Sequence, residues 1–147
     1  MIIELIVCFI ATISFGVIFS VPRNSLLLGG GIGTLAWGIF RLLPEFGMTS
    51  IFATSIASVT AATLAHFFAR RLRIPATAFT IPGIIPLVPG SKAYYTMLAF
   101  VESDYIGGLE LGIETMLQAG AIAAGIVFAL AIFSFGKGIG HRYEAGR

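Results

Sequence analysis

Three prolines, Pro82, Pro86 and Pro89, stand close together in an apolar stretch of this chain. Each proline removes a helical N–H group and clashes with the preceding turn. In the hydrocarbon of a bilayer every backbone polar group needs a partner, so broken backbone is tolerated only inside protein or beside a water-filled cavity. The stretch therefore predicts a membrane helix that is broken in the middle and open to a cavity.

A new half-helix is predicted to begin at Ser91 and Lys92 and to run through Tyr94, Tyr95 and Met97. A helix N-terminus attracts anions through its free N–H groups and partial positive charge, and Lys92 adds a full charge. This pattern predicts a site for a small carboxylate in a transporter. The predicted site residues are Pro82, Gly83, Pro86, Pro89, Gly90, Ser91, Lys92 and Tyr95.

Lys92 has two other interpretations. Its side chain could extend to the membrane interface, or it could pair with an acidic residue of a partner subunit. Tyr94 and Tyr95 could likewise be membrane-interface residues, and we favour that role for one of the two.

The composition places the whole chain in a membrane. Of its 147 residues, 57% are hydrophobic and only 11% are charged, against about a quarter charged in soluble domains. The apolar residues come in long blocks, so we predict an all-α integral membrane protein with a single transmembrane domain, 1–147. Five spans are expected, at about 2–21, 25–43, 49–69, 76–100 (the broken one) and 115–135. A cleaved signal peptide is the alternative for the first block, but its only charge before Arg23 is Glu4.

The sequence lacks the motifs of an enzyme. No hydrolase constellation, metal-ligand spacing or P-loop is visible, and the polar connections leave no room for a catalytic domain. We therefore expect no enzymatic activity, no cofactor, no bound metal and no nucleic-acid partner.

The basic residues predict the orientation. If the loop Arg70–Arg73 is cytoplasmic, seven of the nine basic residues lie inside, as the positive-inside rule requires: Arg23, Arg70, Arg71, Arg73, Lys137, Arg142 and Arg147. The N-terminus is then outside, the C-terminus is cytoplasmic, and Pro89–Lys92 falls near the bilayer midplane. A re-entrant broken segment, which would place the tail outside, is disfavoured.

The acidic residues cluster in the predicted external connection. Glu102, Asp104, Glu110 and Glu114 are expected there, with Gly107–Gly108 as a flexible turn. Gln118, one turn inside the last span, is interpreted as an interhelical hydrogen-bonding residue rather than a ligand.

Small and polar residues mark the faces where helices should pack. Ser55, Ser58, Ala62 and His66 share one face of the third span and should face protein or water. His66 is interpreted as an interfacial residue bonded to backbone, or as a member of a proton relay. The pairs Gly29/Gly33 and Ala121/Gly125 allow close helix approach. Ordinary helix packing is the favoured interpretation of Gly29/Gly33, and both pairs are also candidate contact surfaces for a second subunit.

The run from Thr80 to Tyr95, with Met97 following, resembles the signature of the threonine/serine exporter (ThrE) family. The turn Val21–Arg23 and the glycine-rich second span also fit, and the resemblance is greatest to the short, separately encoded YjjB-like half. It implies a cytoplasmic-membrane exporter of threonine and serine, or of succinate in some split forms. It also implies a second membrane subunit with a cytoplasmic soluble domain. The alternative is a membrane scaffold that does not transport but positions a partner.

Overall fold

The structure is a computed structural model that describes residues 1–138, and the regular elements in that range are helical. They are listed here: α1 (Ile2–Ile18), α2 (Arg23–Leu42), α3 (Ser50–Leu72), α4 (Thr77–Ile84), α5 (Gly90–Val101) and α6 (Tyr105–Gly138). Two 3₁₀ turns, Leu43–Phe46 and Ile85–Leu87, continue α2 and α4. Arg142 and Arg147, which contribute to the predicted orientation, lie outside the described residues.

Three helical segments in the described range are long and apolar enough to cross a membrane: Ser25–Phe46, Ser50–Leu72 and Tyr105–Ser134. The pair Thr77–Leu87 and Gly90–Val101 passes the same test together, with a bend of 49° between its halves. It is either a broken span or a re-entrant loop. The first apolar helix, Ile2–Ile18, is shorter. The all-α membrane class is therefore supported, whereas the five-span count stays a prediction.

A ridge of alanines on α3 forms the centre of the bundle. The ridge residues recur every fourth position and are all buried: Ala53, Ala57, Ala61, Ala65 and Ala69. Residues four apart lie on one face of a helix, and the small side chains let α2, α4 and α6 pack closely around α3. Phe79 of α4 and Leu87 fill the core beside this ridge.

The small-residue pairs make their closest contacts within this chain. A Cβ atom at Gly125 of α6 would overlap Ser58 and lie 3.0 Å from the backbone oxygen of Ser55, and one at Gly33 would collide with Thr12 of α1. The polar stripe on α3 thus faces protein, as predicted. Gly33 thus packs against α1, Gly125 against α3, and Gly29 lies 3.9 Å from Phe79 of α4, in agreement with ordinary helix packing, whereas a contact with a second subunit stays a prediction.

The predicted acidic loop is mostly helix. α6 begins at Tyr105 instead of residue 115, so Gly107, Gly108, Glu110 and Glu114 are helical and the predicted flexible turn is wrong. The Asp104 carboxylate accepts a hydrogen bond from the Gly107 N–H at 3.0 Å, which is the geometry of an N-cap.

A glycine also explains why α6 packs closely against α5. The missing side chain of Gly108 leaves room for the Phe100 ring, whose nearest atoms would lie 3.1 Å from a Cβ at that position. The two helices therefore form an antiparallel hairpin after the break.

Candidate functional site

A cavity of about 250 Å³ lies where the broken segment meets α2 and α6. Its walls come from three parts of the fold: Trp37 and Phe40 on α2, Gln118 on α6, and the break itself. The residues of the break that line it are Pro86, Leu87, Val88, Pro89, Ser91 and Lys92.

Only one of the three prolines produces the break. Val88 is extended (φ −63°, ψ 129°) and Pro89 ends the helical path before α5 begins at Gly90. A residue before proline is disfavoured in the α region, which accounts for the extended Val88. Pro86 lies in the 3₁₀ turn, whereas Pro82 is accommodated inside α4. The prediction that the helix is broken is confirmed, with the break located at Val88–Pro89.

Lys92 is paired with an acidic residue of its own chain. Its Nζ lies 2.9 Å from Oε2 of Glu114 on α6, and the two side chains are 33% and 49% exposed. Sequence reasoning missed Glu114 because it placed this residue in a loop. Glu114 and Gln118 are four residues apart and both lie on α6, so they share one helical face, as their spacing in the sequence predicted. Lys92 and Gln118 line the cavity, and Glu114 is linked to it through the ion pair with Lys92.

Trp37 carries an unused hydrogen-bond donor into the same region. Its indole Nε1 is buried and has no hydrogen-bond partner among the described residues. Its ring packs against Phe40, with centroids 5.4 Å apart. Buried indole N–H groups usually find a partner, so this donor is available to a polar group that enters the region. Trp37 gave no signal in the sequence beyond its being the only tryptophan.

Gln118 completes the polar lining on the α6 side. Its side chain is almost fully buried, with 5% exposed, and it borders the cavity. An amide supplies both donors and an acceptor. Gln118 is thus able to bond either end of a polar solute.

The structure brings together half of the predicted site residues. Pro86, Pro89, Ser91 and Lys92 line the cavity. Pro82 and Gly83 are buried elsewhere, and a Cβ at Gly83 would lie 3.0 Å from Ile32 of α2, so this part of α4 serves helix packing.

The other two predicted site residues, Gly90 and Tyr95, do not line the cavity, and neither does His66, the possible member of a proton relay. Gly90 begins α5 and is exposed. Tyr95 is 55% exposed and packs edge-on against Tyr94. His66 lies near the other end of α3, where its Nδ1 is 2.8 Å from the Ala62 carbonyl oxygen, in agreement with the interpretation of a histidine bonded to backbone.

The cavity is not central along α2. Trp37 lies 14 residues after Arg23 and 5 residues before Leu42; at 1.5 Å per residue, the cavity is roughly 8 Å from the Arg41 end and roughly 21 Å from the Arg23 end of the helix. α4 enters the bundle level with the start of α2 and breaks beside the last third of that helix, within the second span, Ser25–Phe46. The location of the site near the bilayer midplane stays a prediction.

A comparison with protein families identifies the chain. The family model described as "Threonine/Serine exporter, ThrE" matches residues 4–132. The chain belongs to the threonine/serine exporter family. Its members are transporters and not enzymes, so the cavity of this exporter-family protein is a candidate transport site. No solved structure matches this chain.

Proposed function

We propose that this chain is the membrane subunit of a two-component secondary exporter of small carboxylates, and that the cavity at the break binds the substrate. The observation that carries the proposal is the placement of Trp37, Lys92 and Gln118 around one cavity, with Lys92 ion-paired to Glu114 and the Trp37 N–H without a partner among the described residues. Discontinuous helices are where secondary transporters build such sites.

The charges of the cavity favour an amino acid over a dicarboxylate. A substrate carboxylate would accept hydrogen bonds from Lys92 Nζ and Trp37 Nε1, while its ammonium group would bond Glu114. Each charge of the ion pair would then exchange one partner for another, and none would be left uncompensated. A dicarboxylate such as succinate would place its second negative charge near Glu114, which like-charge repulsion opposes. Threonine or serine is therefore the favoured substrate, and succinate-like dicarboxylates are the second candidate.

The second subunit is proposed because the site is only partly covered. Lys92 and Glu114 remain a third to a half exposed, and α5 has no buried residue. A charged pair at this depth needs cover from protein or contact with a water-filled cavity. We propose that a membrane subunit with a cytoplasmic soluble domain covers α5, in the cytoplasmic membrane, with this chain's N-terminus outside and its C-terminus inside.

The test measures efflux of radiolabelled threonine, serine and succinate from cells that carry the chain and its partner. Lys92→Met keeps the side-chain length and removes the charge. Loss of a charge-assisted hydrogen bond, at about 1.5–3 kcal/mol, should reduce transport about 10- to 150-fold. Glu114→Gln should reduce amino-acid export more than succinate export. Membrane levels of both variants are measured in parallel, so that a loss of transport is separated from a loss of protein.

A second ion pair provides the matched control. Arg41 Nε lies 2.9 Å from Glu4 Oε2, and both side chains are about as exposed as Lys92 and Glu114. Arg41→Met should leave export unchanged.

A charge exchange separates binding from helix tethering. The double variant Lys92→Glu/Glu114→Lys restores the ion pair but reverses its direction in the cavity, so it should not restore export. Full export by this double variant would show that the pair only joins α5 to α6, and would favour the non-transporting scaffold.

A further inference from the structure

A second polar cleft lies at the opposite end of the bundle from the candidate transport site. Its volume is about 330 Å³ and it opens between the last turns of α3 and α6. The residues that line it are His66, Ala69, Arg70, Ile74, Ala76, Leu130, Phe133 and Ser134. The cavity at the break shares none of these residues.

Arg70 is held in a fixed position beside this cleft. Its Nη2 donates to the backbone oxygen of Phe133 at 2.8 Å, and its guanidinium lies 4.7 Å from the centroid of the Phe133 ring. These two contacts restrain a side chain that would otherwise be mobile, and the guanidinium keeps other N–H groups to offer to a ligand. Arg70 is therefore oriented in advance for an anion.

His66 adds an imidazole nitrogen to the same wall of the cleft. Its ring stacks on the Phe133 ring that Arg70 also contacts, with 5.3 Å between the His66 and Phe133 centroids and 19° between the ring planes. Because a carbonyl oxygen only accepts, the contact of Nδ1 with Ala62 places a proton on Nδ1. Nε2 is left as the nitrogen that can bond a ligand.

The chain turns sharply at this point to form the third wall. Arg73 ends α3 with φ 56°, and the Ile74 N–H returns to the Ala69 oxygen at 3.0 Å. This left-handed cap carries Ile74 back over the cleft. It also gathers Arg70, Arg71 and Arg73 at one end of the bundle, where no acidic residue is among the lining residues of the described range.

We propose that this cleft binds the phosphate of an anionic phospholipid. The charge of the site matches a phosphodiester, since Arg and phosphate form strong charge-assisted bonds. Basic sites between membrane helices at the interface recognise lipid head groups in this way. Leu130, which is 43% exposed, and Ile74 supply an apolar border for the first part of an acyl chain. A soluble phosphate would not use that border, and this decides for the lipid.

The test uses the full-length protein in detergent and native mass spectrometry. The probes are short-chain phosphatidylglycerol, phosphatidylcholine of the same chain length, and glycerol 3-phosphate. The parent protein should retain phosphatidylglycerol selectively. Arg70→Gln should weaken that binding about tenfold or more, as expected for a lost charge-assisted hydrogen bond. Arg23→Gln, which removes another basic residue predicted on the same side, is the control and should bind as the parent does.

A second variant keeps the proposal testable if Arg70→Gln does not fold. Leu130→Trp leaves Arg70 in place and fills the cleft, so it should also lose phosphatidylglycerol. Equal binding of phosphatidylglycerol by the parent and either cleft variant would overturn the proposal. Equal retention of phosphatidylcholine would overturn it as well, and equally tight binding of glycerol 3-phosphate would overturn the lipid assignment. The readout does not depend on transport, so its failure leaves the proposed export function untouched.

Discussion

Removing the indole N–H of Trp37 should change stability and substrate binding in opposite directions. In the empty protein this buried donor has no partner among the described residues, and burying an unpaired donor costs about 1–3 kcal/mol. Its replacement by a sulfur-containing isostere of tryptophan, benzothienylalanine, keeps the volume of the ring system. The isostere should therefore raise the free energy of unfolding by about 1–3 kcal/mol.

Substrate binding should respond with the opposite sign. If the N–H donates to the substrate carboxylate, the isostere loses a hydrogen bond to a charged group. The loss of about 1.5–3 kcal/mol corresponds to about a 10- to 150-fold weaker affinity. Trp37→Phe should show the same loss of binding, but its stability gain is offset by the removal of apolar ring atoms at about 0.8 kcal/mol for each CH₂-sized group.

The assay combines two measurements on the purified protein with its partner. Equilibrium binding of radiolabelled threonine gives the affinity, and thermal unfolding in detergent gives the stability. Phe40→Leu is the control, because it changes the shape of the same cavity wall without altering any hydrogen-bond donor. Parent affinity in the isostere-containing protein would refute the role of the Trp37 N–H, whatever the stability shows.

Three further predictions follow from the fold. Reporter fusions after Lys137 should give a cytoplasmic signal and fusions at Asp104 an external one; a cytoplasmic signal at Asp104 would make the segment from Thr77 to Val101 re-entrant. Pro89→Ala should impair export at a normal membrane level, because helix propensity rises by about 3 kcal/mol at the break. Pro82→Ala, inside α4, is the control and should export normally. Equal export by both variants would show the break to be incidental. Gly125→Ala should lower the unfolding temperature, because the new Cβ would meet Ser55 and Ser58 and overpacking costs about 1–3 kcal/mol. Gly120→Ala, which has open space around it, should not. Equal unfolding temperatures for the two variants would refute the tight α3–α6 contact.

Local rules predicted the break and the half-helix but not the site that they help to form. Proline chemistry is local, so the stop near Pro89 and the new helix through Tyr95 could be derived from a few neighbouring residues. The contribution of Glu114 depended on where α6 begins. That start is set by the Asp104 cap and by the packing of Phe100 against Gly108, a contact that the sequence pattern does not display. Gly108, which was predicted to lie in a flexible turn, is instead part of the contact between α5 and α6.

Trp37 shows a second limit of sequence reasoning. Its importance lies in a missing hydrogen bond, and a missing partner can be recognised only when all neighbouring groups have been placed. The position of the cavity along the helices has the same origin, because the contact of Gly83 with Ile32 fixes where α4 lies against α2.

The alanine ridge of α3 has a consequence for motion. Alanine has no side-chain rotamers to lose or to rearrange, and the ridge presents five of them in a row. Larger interlocking side chains hold neighbouring helices in one register, and a shift then requires several rotamers to change together. A ridge of methyl groups resists a shift only through the contact area that is lost. The alanine face itself is therefore suited to shear, the small sliding of packed helices, and the register of α6 on α3 rests instead on the contact of Gly125 with Ser55 and Ser58.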